Sequence, residues 1–548
     1  MTGHLRFVCA RFLNQTAIQI KGHLMSKNIL LGCAAAFVVV GGAHAADLPV
    51  KAKPVEYVKV CAAYGAGFFY VPGTDTCIKI GGWVRAEYAF QTGSSAVEFN
   101  QGTGGRNNRI DTNEYQIRAR WVTSLDVRTQ TEYGTLRAYT RAGFQTTTGE
   151  TTQGKIYTER GFIQFAGFIF GKSQSFFDFF GGSFCYGCSY TGAASMTAST
   201  GQLMAAYSAT FGNGVIATLS LEDQFMRRNG IWDASNDAQN ALVISNMPGP
   251  ATVVDSYNPG AVNYGDMAAT GIPDIVGSLR VDQAWGSAQI AGVLHQLRAG
   301  YYGNNTTGAG ATVNGVNMAF LSPSDAYGWA VMGGVVLNLP WNKGDRFYVE
   351  ATFCEGAGAY CGMDGTIGTK NNTFGRFNGA NVAAAWAMDS IFGTLVSTGG
   401  PTGQQLTRYF SLTGAFEHYW TPALRTDLWG AYTQADYNDV ATTLFCSSPQ
   451  SPVRRLSAPN TPLTGATVAA GCDPDWNIWA VGVRTIWNPA PQFDIGLEVF
   501  YTHLETKFDP TQVVLNFAGA GGRPAGVYFP SSENVWGSIL RLQRNFWP

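Results

Sequence analysis

The sequence is short of charge, of histidine and of long apolar runs. Aspartate, glutamate, lysine and arginine make up only 13% of its 548 residues and nearly cancel, for a formal net charge of −1. A polyanion would find no basic excess here, so no nucleic-acid partner is expected. The one long apolar run, residues 29–43, is shorter than the roughly 20 residues a helix needs to cross a bilayer. A helical membrane protein is thereby excluded. Beyond residue 45 the only histidines are His295, His418 and His503, far apart and with no nucleophile motif beside them. Metal-ligand spacing is missing too, so neither enzyme activity, cofactor nor metal is expected. Gly171-Lys172-Ser173 resembles the end of a phosphate-binding loop, but the position of that motif's first glycine holds Ala166.

Residues 25–28 followed by the apolar run and Ala43-His44-Ala45 have the basic start, apolar core and small-x-small ending of a secretory signal peptide. Residues 1–45 are therefore expected to be removed, with 1–24 an over-extended start. Leu30-Leu31-Gly32-Cys33 resembles a lipoprotein cleavage box, yet most of the apolar run would then follow the cysteine, so no lipid is expected. Of ten cysteines, Cys9 and Cys33 leave with the leader, and an even number in an exported chain favours disulfides. Proximity in sequence suggests Cys61 with Cys77, Cys354 with Cys361, and Cys446 with Cys472. Cys185-Tyr186-Gly187-Cys188 has the spacing of a redox motif but no βα context, and reads as a structural bridge within a loop.

What the chain has in abundance is alternation. Over residues 114–128, Tyr115, Ile117, Ala119, Trp121, Leu125 and Val127 alternate with Glu114, Gln116, Arg118, Arg120, Ser124, Asp126 and Arg128. A period of two with an arginine-rich polar face describes a strand between lipid and a wet lumen. The same rule places strands at 78–91, 114–129, 133–145, 156–165, 168–172, 202–211, 215–225, 275–284, 288–297, 326–337, 345–353, 408–420, 423–433, 476–487, 493–502 and 533–546. The expected fold is all-β: a sixteen-stranded antiparallel transmembrane β-barrel over residues 78–548, preceded by a periplasmic strap at 46–77. Short connections, all but the first rich in glycine or proline, alternate with eight long polar ones at 92–111, 146–155, 173–201, 227–274, 299–325, 354–407, 434–475 and 504–532. Residues 381–391 would break that alternation as a strand. Their alanine run predicts instead a small helix in the sixth long loop.

Arginines gather on the inner face of the first strands, at Arg85, Arg118, Arg120, Arg137, Arg141 and Arg160, with Glu87 among them. They predict a charged pore wall. The third long loop carries Phe176-Phe177-Asp178-Phe179-Phe180, too aromatic for external water, and is expected to fold inward with Asp178 facing that wall. Fixed charges of opposite sign would then sort small polar solutes by charge.

Several stretches carry a family resemblance. Ala46-Asp47-Leu48-Pro49, Val55-Glu56-Tyr57-Val58-Lys59-Val60-Cys61, Cys77-Ile78-Lys79-Ile80-Gly81-Gly82, Gly171-Lys172-Ser173-Gln174-Ser175-Phe176-Phe177-Asp178, Phe416-Glu417-His418-Tyr419-Trp420-Thr421-Pro422 and Arg541-Leu542-Gln543-Arg544-Asn545-Phe546 resemble the alphaproteobacterial, rhizobial-type outer-membrane porins. The resemblance implies a passive diffusion channel for small hydrophilic solutes and ions, narrowed by its third loop. It also implies a homotrimer among outer-membrane lipids and lipopolysaccharide, and a Cys61–Cys77 bond. A sugar-selective channel is the alternative, in which Trp83 and Trp429 on lumen faces would form a stacking track. A receptor-type transporter would need a plug domain, and residues 46–77 are too few for one.

Overall fold

The computed structural model describes residues 60–91, 115–148, 154–180, 183–187, 195, 201–235, 253–254, 262–263, 267–268, 270–302, 312–313, 316–317, 321–363, 373–395, 400–448, 451–456, 458–462, 470–517 and 525–546. The expected leader, strap residues 46–59, Glu114 and Cys188 lie outside them. Sixteen described strands form the barrel. In chain order they are β1 (Thr76–Gln91), β2 (Tyr115–Thr131), β3 (Gly134–Thr147), β4 (Lys155–Phe165), β5 (Phe168–Ser173), β6 (Gln202–Gly212), β7 (Val215–Glu222) and β8 (Asp274–Gln283). They continue as β9 (Gly286–Leu297), β10 (Ala326–Asn338), β11 (Arg346–Glu355), β12 (Arg408–Thr421), β13 (Leu424–Asp436), β14 (Trp476–Ala490), β15 (Phe493–Thr506) and β16 (Glu533–Asn545). Each pairs antiparallel with its sequence neighbour. The ring closes where β1 meets β16, from Trp83 opposite Asn545 to Gln91 opposite Gly537. Closure leaves no strand edge in hydrocarbon, where each unsatisfied backbone group would cost several kcal/mol.

Parity decides which way the side chains point. Ile80, Val84, Phe90, Tyr115, Ile117 and Trp121 lie exposed on the outer wall, whereas Trp83, Glu87, Ser124 and Asp126 are buried on the inner one. Across the seam Arg85 meets Gln543 and Glu87 meets Arg541, so the inner face is continuous. The two-residue turn Asn213-Gly214, with φ of 49° and 74°, needs the left-handed conformation at both positions, which asparagine and glycine accept most readily. β7 stops at Glu222, short of the expected residue 225, because the chain turns into a 3-10 segment over Gln224–Arg227.

Ahead of β1, the two-residue strand Phe69–Tyr70 pairs with Cys77 and Ile78, and the Cys61–Cys77 disulfide ties this hairpin together. Cys354–Cys361 and Cys446–Cys472 are also bonded. Cys185 is disulfide-bonded as well.

The long connections do not simply trail into solvent. A six-stranded sheet joins Thr373–Asn378, Asn381–Trp386, Gly526–Pro530, Val513–Phe517, Val453–Arg455 and Ala458–Pro462, and a three-stranded one joins Gly400–Leu406, Ser390–Leu395 and Ile231–Asp233. Residues 381–391 are thus not helical. Asn381–Trp386 pairs antiparallel with Thr373–Asn378 and parallel with Phe529 and Pro530, and Ala383, Ala384 and Ala385 are buried throughout. Burial on both faces of a sheet overrides the weak helix preference of alanine. Among the described residues, the α-helix in these loops is α1 (Asp439–Ser447) instead, capped by the Asn438 side chain, which accepts from the Ala441 amide at 2.8 Å. Trp386, Trp476, Phe445, Phe508 and Leu515 pack into one apolar core with Val276, Ala291, Ala330 and Met332 of β8–β10 and with Phe177 and Phe179 of the third loop. The external loops form a cap, and its core descends into one half of the barrel.

Candidate pore lining and constriction

The arginine wall assembles because the cross-strand registers bring its members side by side. Arg85 stands opposite Arg120 and Glu87 opposite Arg118 between β1 and β2, while Arg128 faces Arg137 between β2 and β3 and Arg141 faces Arg160 between β3 and β4. Like charges at such spacing require carboxylates among them. Glu87 accepts from Arg118 Nε and from Arg541 Nε, each at 2.7 Å, and Arg85 lies 3.8 Å away. Asp126 bridges Arg128 and Arg137 at 2.8 and 2.9 Å. Glu159 holds Arg141 at 2.7 Å, and its carbonyl accepts from Arg160 at 2.7 Å. Arg120 donates to Gln145 Oε1 at 3.0 Å. The Glu87 side chain is 4% exposed and Arg141 is 30% exposed, so the acids sit beneath and the guanidinium groups face the lumen.

Aromatic rings support several of these cations. Arg85 lies over the Trp83 ring at 4.0 Å, Arg137 over Tyr139 at 4.9 Å, Arg120 over Tyr157 at 5.5 Å, and Arg541 over Tyr186 at 3.6 Å. Trp83 and Trp429 do face inward, but neither offers a stacking surface. Trp83 is covered by Arg85, and Trp429 is buried with Nε1 donating to Glu498 at 2.8 Å.

The third loop is folded into the barrel and held there by its backbone. Gln289 Nε2 reaches the carbonyls of Phe176, Phe177 and Asp178 at 3.2, 3.2 and 3.4 Å, Glu222 accepts from the Phe176 amide at 3.1 Å, and Arg484 donates to the Ser183 carbonyl at 2.9 Å. Phe180 packs edge-on against Tyr348 of β11. Asp178 is no open charge across from the arginines: it is buried, paired with Arg227 at 2.5 Å, and accepts from Ser195 Oγ at 2.9 Å. Of the residues singled out from sequence, Arg85, Glu87, Arg118 and Arg120 fall into one knot, Arg137, Arg141 and Arg160 extend it, and Asp178 lies in a separate pair.

Sequence reasoning had not singled out Glu159, Arg227, Arg484, Tyr186 or Glu498 for this lining. Parity along β14 and β15 places Arg484 and Glu498 on the inner face, a signal that alternation carries, whereas Glu159 sits next to the inward Arg160 where the β3–β4 register shifts, and alternation misses it. Nothing local marks Arg227 or Tyr186, whose partners lie 49 and 312 residues away.

A family model described as a porin subfamily matches residues 47–520. Porin Omp2b of Brucella suis is 30% identical over 332 residues, covering 56% of this chain and 80% of that protein. Porin Omp2b of Brucella neotomae is 31% identical over 333 residues, covering 56% and 79%. Among solved structures, the outer membrane channel DcaP of Acinetobacter baumannii matches with a TM-score of 0.51 at 13% identity, over 87% of this chain and 99% of that one, a likeness of fold alone. With a closed sixteen-stranded barrel and a polar inner wall, the chain belongs to the porin subfamily, beside its alphaproteobacterial relatives, and is an outer-membrane channel protein.

Proposed function

We propose that this porin is a passive, anion-preferring diffusion channel for small hydrophilic solutes and ions, and that its narrow section runs between the third loop and the inner wall of β16 and β1–β4. One observation carries the reading: among the described residues, Arg85, Arg118, Arg120, Arg128, Arg137, Arg141, Arg160 and Arg541 share that wall with Glu87, Asp126 and Glu159, eight cations against three anions. Guanidinium stays charged at any working pH, so the excess is permanent. Its field reaches about 8 to 10 Å at physiological salt, the scale of a constriction. The covered faces of Trp83 and Trp429 weigh against the sugar-selective alternative. Family membership likewise implies a channel rather than an enzyme.

Planar bilayers test the reading. Replacing Arg118→Ala together with Arg137→Ala should move the reversal potential under a salt gradient toward cations, and the shift should shrink as salt rises. An unchanged reversal potential in a conducting channel sinks the proposal. The homotrimer, supported by the resemblance to trimeric porins, predicts that each inserted unit closes in three equal steps. Outer-membrane lipids and lipopolysaccharide are its expected surroundings.

A further inference from the structure

We propose that Tyr186 of the third loop sets access to the guanidinium wall and so fixes how strongly the channel prefers anions; the inference rests on the reading above. Tyr186 reaches the far side of the lumen from the loop's root at Ser173. Its ring lies against the Arg541 guanidinium at 3.6 Å and within 4.8 Å of Arg484. Arg541 in turn holds Glu87, which also binds Arg118. The cleft remaining between Tyr186, Glu87, Arg118 and Arg541 has a volume of ≈ 20 Å³, room for about one water. At this level Tyr186 is pressed onto the wall at Arg541, and the narrow section is what its ring leaves open beside Glu87 and Arg118.

Three features of the barrel hold the ring in that place. Glu498 of β15 accepts from the amides of Tyr186 and of Gly187, the latter at 3.3 Å. Gly496, on the same strand, leaves room for the Tyr186 hydroxyl, which a Cβ there would overlap. The Phe500 ring fills the space beside Gly187, with a Cβ on that glycine falling 2.7 Å from it. Cys185, next to Tyr186 in the chain, is itself disulfide-bonded. The seat is built by residues from β14, β15 and β16, so the position of this ring is a property of the wall as much as of the loop.

Two consequences follow from the contact with Arg541. The ring covers one face of a cation that would otherwise meet the lumen, and it narrows the route past Arg118. Removing it should widen the path and expose more positive charge together. A purely structural role for Tyr186 would alter stability but not the sign or size of the charge preference.

The experiment uses the full mature protein folded in detergent and inserted in planar bilayers under a potassium chloride gradient. Tyr186→Ala should raise single-channel conductance and shift the reversal potential further toward the chloride equilibrium potential. Tyr186→Phe keeps the ring and should restore most of the parent's values. Gly496→Ala leaves Tyr186 in the chain but denies it its seat; Gly496 has no left-handed backbone, so alanine fits the strand. It should reproduce Tyr186→Ala, and it carries the test if that variant inserts poorly. If both conduct with the parent's conductance and selectivity, the proposal is overturned. Should they do so while Arg118→Ala with Arg137→Ala still moves selectivity, Tyr186 is dismissed and the arginine wall stands.

Discussion

Arg227 and Asp178 show what a buried charge demands at the scale of one residue. Their side chains are 1% and 0% exposed, and each satisfies the other at 2.5 Å. Arg227 also donates to Ser195 Oγ and to the Ala359 carbonyl at 2.8 and 3.2 Å and lies over the Tyr360 ring, so one guanidinium ties the third loop to the sixth. Breaking such a pair from one side strands a charge in a dry site, at a cost of about 3–5 kcal/mol, while removing both charges costs less. Arg227→Met should therefore lower the denaturation midpoint of the detergent-folded protein, and Asp178→Asn with Arg227→Met should recover part of that loss. Equal midpoints for the single and double variants would show that the pair does not hold the loop. Asp178 was legible in the sequence as an acid among aromatics. Its partner was not, because an ion pair across 49 residues leaves no local pattern.

At the scale of elements, the cap is where sequence and structure part most. The sixteen barrel strands were legible because each must present one face to lipid and the other inward, and side-chain parity records that constraint directly. No such constraint acts on the loops. Asn381–Trp386 is a strand only because Thr373–Asn378 and residues 529–530 lie beside it, and the second partner is nearly 150 residues away. One signal was present in the barrel itself: in β10, Ala330, Met332 and Val336 alternate with Val331, Gly333 and Val335, apolar on both faces. A wet inner wall would not be written that way, and β10 does face the cap's apolar core. The cap also has a pH dependence of its own. Asp475, between α1 and β14, accepts from the Tyr437 amide at 2.7 Å, and burial pushes its carboxyl from 3.8 up to about 7. Because the folded state holds this proton more tightly than the unfolded one, its contribution to stability is fully present below about pH 4 and is lost as pH rises through about 7. Cap stability, followed by the fluorescence of buried Trp386 and Trp476, should fall as pH rises across that interval, and Asp475→Asn should flatten the trend. A trend unchanged by the substitution would remove Asp475 as its cause.

For the whole molecule, the two halves of the barrel serve different ends. The inner faces of β1–β4 are polar and partly exposed, whereas β11–β13 carry packed polar positions: Thr352, Ser411, Thr413 and Thr433 point inward yet are at most 2% exposed. Polar side chains at such positions in an open porin would be wet. Here the third loop and the cap lie over them, which supports the proposed route along the side of β1–β4. A low-dielectric wall facing fixed cations concentrates their field in the remaining water. Single cysteines make this division measurable in folded protein. Gln145→Cys and Gln164→Cys, on β3 and β4, should react quickly with a small water-soluble thiol reagent, since both positions keep part of their surface open. Thr413→Cys and Thr433→Cys, at 1% and 0% exposure, should react slowly until the protein is unfolded. The native cysteines are not a background concern where they are bonded, as Cys61, Cys77, Cys354, Cys361, Cys446 and Cys472 are. Labelling that is equally fast on both sides would mean that water reaches β12 and β13, and that the cap does not restrict the channel. Slow labelling confined to β12 and β13, with fast labelling and reduced conductance on β3 and β4, places the conducting path against the guanidinium wall.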